Sequence, residues 1–152
     1  MNRAYVDGLK MLARRELSEA QIRQRLARKQ HDADDIDAAV ARLREERAID
    51  DVRVAEAIAR TETGIKRRGK LRVRMQIERA GIDKSIARGA IDAVFDGIDD
   101  EGLMEAALQK RLRGRTSAKD DRELQRLHRF LISQGFEPDR VMQRIRKLRP
   151  RP

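Results

Sequence analysis

The chain has 152 residues, enough for one ordinary domain or a few small repeats. Charged residues make up 41% and aromatic residues 3%, a composition that suits helices rich in Ala, Arg, Leu and Glu and is too apolar for a disordered tail. The net charge of +10 favours polyanionic partners through steering and counterion release.

Cysteine is absent from the sequence, which excludes disulfides, thiolate zinc sites and thiol chemistry. The N-terminal residues contain no apolar segment typical of a secretory signal. No run approaches the roughly 20 apolar residues that a membrane-spanning helix needs. We therefore expect a cytoplasmic protein that does not insert into a membrane.

The first part of the chain predicts three amphipathic helices. Ser18 precedes Glu19 and Gln21, the pattern of a capped helix start. Ile22 and Leu26 follow at the spacing of four that one buried helix face produces. The apolar positions of the helices before and after are Tyr5, Leu9 and Leu12, and Ile36, Val40 and Leu43.

The stretch 68–81 is ambiguous when it is read alone. Its apolar residues alternate with basic or polar ones, as in a strand with one wet face. The same apolar residues also form two helical stripes, Leu71 with Met75 and Val73 with Ile77. A basic strand would favour direct nucleic-acid binding, so the choice bears on function.

An internal repeat decides between strand and helix. Residues 18–31, 69–82 and 123–136 align without gaps, and each segment is followed by a further amphipathic series. The shared apolar positions are Ile22, Val73 and Leu127, then Leu26, Ile77 and Leu131. Because the first segment reads as a capped helix, the sequence predicts a helix over 69–80 that ends at Gly81.

The stripe formed by Leu71 and Met75 needs its own explanation, because the first repeat has Ala20 and Gln24 there. We interpret it as a surface that stacking covers, since a central repeat has neighbours on both sides. The alternative is that Met75 is a half-exposed surface residue.

Each repeat also has a leading helix, so the fold class is all-α, with three tandem three-helix repeats. The predicted units are 1–49, 50–97 and 98–149, followed by a tail at 150–152 that its two prolines keep from continuing a helix. Residues 113–119 are expected to form a polar loop inside the third unit.

Signals for catalysis are thin. His31 is expected to pack at a helix end, and His128 to lie at the surface or its boundary. The acidic cluster 32–37 and the pair Asp50 and Asp51 are expected to cap helices. Arg68-Gly-Lys70 lacks the remainder of a phosphate-loop motif, and no catalytic triad can be assigned. The sequence predicts no enzyme activity, no metal and no cofactor.

The strongest functional feature is a basic run from Lys66 to Arg74, with six cations in nine residues and no acid. The excess positive charge lies in the second and third parts of the chain, at +4 and +5, against +1 for residues 1–50. Scarce aromatics argue against base stacking and favour phosphate or an acidic protein as partner. The predicted contact residues are Lys66, Arg67, Arg68, Lys70, Arg72 and Arg74, with Arg126 and Arg129 as second choices. Arg25, Arg28 and Lys29 form a weaker basic group.

Four segments in order resemble the RecX family, the regulators of the RecA recombinase. They are residues 12–29, residues 43–56 with Asp50-Asp-Val-Arg-Val-Ala55 near the family's Asp-Asp-x-Arg-Phe-Ala, residues 67–82, and residues 126–141. The resemblance covers nearly the whole chain. Val54 stands where Phe is usual, and Gln30 where Gly is usual; both departures concern packing and capping.

The resemblance implies an elongated, curved array of repeats without enzymatic activity. It also implies a monomer that binds the RecA–single-stranded DNA filament and inhibits its ATPase, strand exchange and co-protease activities. Such a protein modulates recombinational DNA repair and the SOS response. The alternative that the residues themselves leave open is a stand-alone, sequence-nonspecific DNA-binding helical module.

Overall fold

The computed structural model describes residues 2–150, and within them the chain forms nine α-helices and no strand. Their bounds are α1 Arg3–Arg14, α2 Glu19–Arg28, α3 Ala33–Glu45, α4 Asp51–Gly64, α5 Lys70–Arg79, α6 Lys84–Phe95, α7 Asp100–Leu112, α8 Asp121–Ser133 and α9 Pro138–Arg146. The all-α prediction is confirmed, and the ambiguous stretch is helix α5. None of the helices in this range is both long and apolar enough to cross a bilayer.

The helices form three successive groups of three, each around its own hydrophobic cluster. The repeat positions supply the centres of these clusters, because the side chains aligned in the three middle helices are all buried. They are Ile22, Val73 and Leu127, and Leu26, Ile77 and Leu131. Leu103 contacts both the second and the third cluster and so joins two groups. The unit limits at 49/50 and 97/98 remain a proposal; residue 1 and tail residues 151 and 152 lie outside the described residues.

Polar side chains start most of these helices as expected. Ser18 and Gln21 form a reciprocal capping box on α2. Asp32 accepts a hydrogen bond from Asp35 N, and Asp50 accepts one from Arg53 N, so one acidic residue of each group predicted to cap a helix does so. Asp51 does not cap α4; its carboxylate instead accepts a hydrogen bond of 2.9 Å from Glu19 N, at the start of α2 in the first unit.

The three middle helices contact one another end to end. Gly69 N, at the start of α5, donates to Gln134 O at the end of α8 over 2.8 Å. Leu71 N donates to Gly135 O over 3.1 Å. The start of α2 makes a corresponding contact, because Ser18 Oγ donates to Ala80 O at the end of α5. Backbone carbonyl groups of one unit thus accept hydrogen bonds from donors at the N-terminal end of the middle helix in the preceding unit.

This end-to-end contact explains where the repeat has glycine. Gly81 and Gly135 have positive φ values of 78° and 95°. Both also face the preceding unit, since a Cβ on Gly81 would lie 2.5 Å from Ala20 Cβ and one on Gly135 would lie 2.3 Å from Arg72 N. Gln30 has φ 68° at the same position of the first repeat, which has no preceding unit among the described residues. Of the three repeats, only the first can therefore hold a residue other than glycine at this position.

Backbone N–H groups at the start of α8 are hydrogen-bonded by side chains of the third unit itself. Asp120 accepts a hydrogen bond from Glu123 N at the start of α8. Glu123 in turn accepts one from Lys119 N and is held by the guanidinium of Arg115. The first turn of α8 is therefore satisfied by nearby residues of its own unit, whereas α2 and α5 meet the following unit.

The interpretation of the second stripe on α5 is wrong. Leu71 and Met75 are 40% and 37% exposed, so no neighbouring unit within residues 2–150 covers them. The middle helices contact the neighbouring units through their ends rather than through this side of α5. Met75 is the half-exposed surface residue of the alternative interpretation.

Candidate polyanion-binding site

A groove of about 810 Å³ lies between the second and third units. One wall is the turn after α4, residues 64–67. The other wall is formed by the end of α7, the loop that follows it, and one face of α8. Seven cationic side chains line this interunit groove: Lys66, Arg67, Lys110, Arg111, Arg113, Arg115 and Lys119.

Of the described residues that line the interunit groove, Glu123 is the only acid. Arg115 binds it with two hydrogen bonds, of 2.6 and 3.0 Å. These bonds, with one from Lys119 N, hold the pKa of Glu123 at about 2, below its ordinary value of 4.5. Glu123 is thus an ionised carboxylate that orients Arg115 and leaves the remaining cations without a counterion on the groove wall.

Buried Glu62 organises the turn after α4. Its carboxylate lies 2.8 Å from Arg68 Nη1 and 3.4 Å from Lys66 Nζ, and its side chain is 8% exposed. Arg68 N also donates to Glu62 O over 2.9 Å, which fixes the backbone of the turn. The basic run contains no acid itself, but Glu62 just upstream compensates the charges of Lys66 and Arg68.

Two arginines of the groove occupy the left-handed region of backbone conformation. Arg67 has φ 52° and Arg113 has φ 53°. An L-residue in this conformation costs about 1–2 kcal/mol, and strain of this kind concentrates at functional sites. Both side chains are exposed, and neither has a carboxylate within 4.0 Å among residues 2–150.

Arg111 is fixed over an aromatic ring. Its guanidinium carbon lies 3.8 Å from the centre of the Phe130 ring, a cation–π contact that places the charge on the face of α8. Phe130 is half-buried and lines the groove beside it. The contact limits the freedom of Arg111, so less conformational entropy is lost when an anion binds it.

The structure divides the eight predicted contact residues among several places. Lys66 and Arg67 line the interunit groove. Lys70 and Arg74 line a separate groove with α6, where Lys70 lies over Phe95 and Arg74 is 3.9 Å from Glu78. Arg68 is held by Glu62.

The remaining three predicted residues lie elsewhere. Arg72 donates to Ser133 O over 3.3 Å in the contact between the second and third units. Arg126 and Arg129 are exposed on α8, and Arg129 lines a shallow groove with α9. The eight residues therefore do not form one surface, and their role in partner contact stays a proposal.

Sequence reasoning missed the wall of the interunit groove that the third unit contributes. A signal is present, because residues 110–115 contain four cations in six positions without an acid. Its second half is assigned to the polar loop 113–119, because Gly114, Thr116 and Ser117 are typical of turns. Nothing in the sequence indicates that it faces the turn after α4.

The two histidines have ordinary surroundings. His31 Nε2 lies 2.7 Å from Asp7 Oδ2, a contact that lowers the pKa of Asp7. His128 is half-buried on α8. Among residues 2–150 no three His, Asp or Glu side chains are grouped so that they could hold a metal ion.

Comparison with known proteins identifies the family. Over 135 residues the chain is 31% identical to the regulatory protein RecX of Chromohalobacter salexigens, covering 89% of this chain and 86% of that protein. It is 32% identical over 135 residues to the regulatory protein RecX of Halorhodospira halophila, covering 88% and 81%. The chain belongs to the RecX family. Its relatives are named regulatory proteins, and a regulatory role of the RecX type follows for the chain.

The RecX assignment agrees with the other comparisons. Residues 4–43 match the family model described as "RecX, first three-helix domain", which corresponds to α1–α3. The crystal structure of RecX from Lactobacillus salivarius has a TM-score of 0.75 at 19% identity and covers 96% of this chain and 94% of that one. A second RecX crystal structure has a TM-score of 0.72 at 23% identity and covers 95% and 70%. These two structures establish a shared RecX fold.

Proposed function

We propose that this RecX-family chain is a non-enzymatic regulator of RecA. It binds the RecA–single-stranded DNA filament and inhibits the ATPase, strand-exchange and co-protease activities, and thereby modulates recombinational repair and the SOS response. It acts in the cytoplasm as a monomer built from units 1–49, 50–97 and 98–149. Family membership supports RecA as the partner.

The observation that carries the DNA part of the proposal is the composition of the interunit groove. Its seven cations outnumber its single carboxylate, and that carboxylate is already paired with Arg115. Phosphate oxygens along a strand would complete the ion pairing, and each Lys or Arg that pairs with a phosphate releases a counterion. Within the groove, Arg67, Arg111 and Arg113 are our first candidates for phosphate contact.

The test is the single-stranded-DNA-dependent ATPase of RecA, titrated with this protein at fixed salt. Inhibition at amounts well below those of RecA supports a regulator directed at the filament. Inhibition only at amounts that coat the DNA supports the alternative, a stand-alone nonspecific DNA-binding module. No inhibition at any amount contradicts the proposed function.

A variant pair connects the test to the groove. Replacing Arg67 and Arg68 together would be ambiguous, because loss of Arg68 leaves buried Glu62 without its closest partner. Arg67→Gly combined with Arg113→Gly removes two groove charges at positions where the backbone conformation suits glycine. Weaker inhibition with unchanged helical circular dichroism is expected.

The matched control is Arg3→Gln combined with Arg79→Gln. Both are exposed helix residues that do not line the interunit groove, so the net charge falls equally while the interunit groove stays intact. The control is expected to inhibit as the parent does. Equal loss in both variants would refute the assignment to the groove and indicate an effect of overall charge.

A further inference from the structure

A second basic groove lies in the first unit, between the end of α1 and the end of α2. Its volume is about 500 Å³. Six cations line this first-unit groove: Lys10, Arg14, Arg15, Arg25, Arg28 and Lys29. The net charge of residues 1–50 is only +1 and does not predict this groove. The groove is nevertheless basic, because most acids of this region lie away from it, several of them on α3 and at its start.

Among the described residues that line the first-unit groove, Asp7 is the single acid, and it is already engaged. Asp7 lies 2.7 Å from His31 Nε2 and 4.0 Å from Lys29 Nζ, and its pKa is lowered chiefly by the hydrogen bond with His31. The other five cations of the groove have no carboxylate within 4.0 Å in residues 2–150. This arrangement matches the interunit groove, where one paired acid stands among several unpaired cations.

The two grooves occupy equivalent places in the first and third units. In the alignment of middle helices, Arg25 corresponds to Phe130 and Lys29 to Gln134, and all four line a groove. The last turn of the leading helix supplies cations in both units, Arg14 in α1 and Lys110 with Arg111 in α7.

The middle unit lacks this lining in its described residues. It has Gln76 and Ala80 at the two aligned positions, and the last turn of α4 contains no basic residue. The first-unit groove and the interunit groove therefore share no unit, because the former lies in the first unit and the latter is lined by residues of the second and third units.

We propose that the first-unit groove is a second site for the phosphate backbone of single-stranded DNA, so that one strand bridges the first and third units. A uniformly charged polymer can place the same anionic group in two equivalent grooves. A single folded acidic domain presents its charges in one fixed arrangement and would have to match both grooves at once. None of the described residues that line the groove is aromatic, which directs it to phosphate rather than to bases. This inference rests on the DNA contact in the proposed function and extends it to a second site.

Bridging predicts a dependence of affinity on strand length. A strand of about 6 nucleotides is of the size that one small module binds, whereas one of about 40 nucleotides reaches both grooves. Binding in the second groove then becomes intramolecular, and affinity for the long strand rises by at least about tenfold beyond the statistical gain from its larger number of binding positions; this excess is the gain from strand length tested below.

The test measures binding of both strands, as oligothymidine without RecA, by fluorescence anisotropy over a range of salt. The groove variant is Arg25→Gln with Arg28→Gln, which keeps helix propensity close to that of the parent. The control is again Arg3→Gln with Arg79→Gln. The groove variant is expected to lose the gain from strand length, and its salt slope is expected to fall by about 1.4, since two phosphate contacts are lost at about 0.7 each.

Three outcomes would overturn the proposal. The first is a groove variant that retains the gain from strand length, and the second is a control that loses it equally. The third is a groove variant that binds both strands as the parent does but inhibits RecA less, which would mean that the groove contacts protein rather than DNA. Because RecA is absent from the binding assay, a negative result there overturns the second site only. The ATPase test examines the proposed function separately.

Discussion

Gly135 lies where α8 ends against the start of α5, and Gly135→Ala perturbs that contact directly. The residue has φ 95°, and its carbonyl accepts the hydrogen bond from Leu71 N. An added Cβ would lie 2.3 Å from Arg72 N and 2.8 Å from Arg72 Cα. Both atoms belong to the backbone, so a side-chain rotation cannot relieve the overlap.

The expected loss of stability combines two contributions. An L-residue in the left-handed region costs about 1–2 kcal/mol. Overpacking costs about 1–3 kcal/mol if the units stay in place. If the units separate instead, the two hydrogen bonds made by Gly69 N and Leu71 N weaken, at about 1 kcal/mol each. Because separation relieves the overlap, only one of the latter two costs applies, and we expect a loss of about 3 kcal/mol.

Two further glycines make the experiment specific. Gly114 has φ 85° but no heavy atom within 4 Å of an added Cβ, so Gly114→Ala carries only the conformational cost, about 1 kcal/mol. Gly81→Ala has both costs, because its Cβ would meet Ala20 Cβ at 2.5 Å, and should resemble Gly135→Ala. Gln30→Gly, at the corresponding position of the first unit, should leave stability within about 1 kcal/mol.

The assay is urea unfolding followed by far-UV circular dichroism for all four variants, compared at the midpoint and in slope. The reasoning requires Gly135→Ala and Gly81→Ala to lose clearly more stability than Gly114→Ala. Equal losses for the three alanine variants would refute the close end-to-end contact and leave backbone conformation as the whole explanation for these glycines.

Two other predictions concern carboxylates. Glu62→Gln should destabilise the protein by about 3 kcal/mol in thermal unfolding, because Arg68 is left partly buried without its charge partner. The control is Glu56→Gln, which removes the carboxylate of an exposed pair with Arg60. Similar losses of stability in both variants would contradict a special role for Glu62. Glu105 has a pKa of about 2, lowered from 4.5 chiefly by its hydrogen bonds with Arg144. Its contribution to stability is therefore present above pH 4.5 and is lost as the pH falls toward 2. Since the side chain is 40% exposed, we expect about 1 kcal/mol. The difference in urea midpoint between parent and Glu105→Gln should shrink over that pH range, and a constant difference would contradict the assignment.

The helices and their caps could be predicted because their causes are local. Ser18, Asp32 and Asp50 cap the helices that follow them, as their side chains and positions indicate. The period of four in the three aligned segments places the buried residues correctly, and the repeat resolves the one ambiguous stretch. The caps and the period of four lie within about one helix turn of the structure that they specify, and the repeat is visible in the sequence itself.

Surface assignments were less successful because they depend on distant residues. Leu71 and Met75 suggest side-to-side stacking, yet the units meet through helix ends. The run from Lys66 to Arg74 reads as one basic surface, but a helix turns its residues in different directions, and Glu62 and Ser133 engage three of its cations.

The amino-acid sequence alone predicts amphipathic helices repeated in groups of three, their buried positions and the positive net charge. Its motifs, taken together and in order, also indicated the RecX family. Which cations share a groove follows only from the fold, because Arg67 and Arg111 are brought together by the contact between units and not by their spacing. The fold also places six cations of the first unit in one groove whose described lining contains a single acid, a result that net charge cannot indicate because it sums over all faces of a unit while an anion meets only one of them.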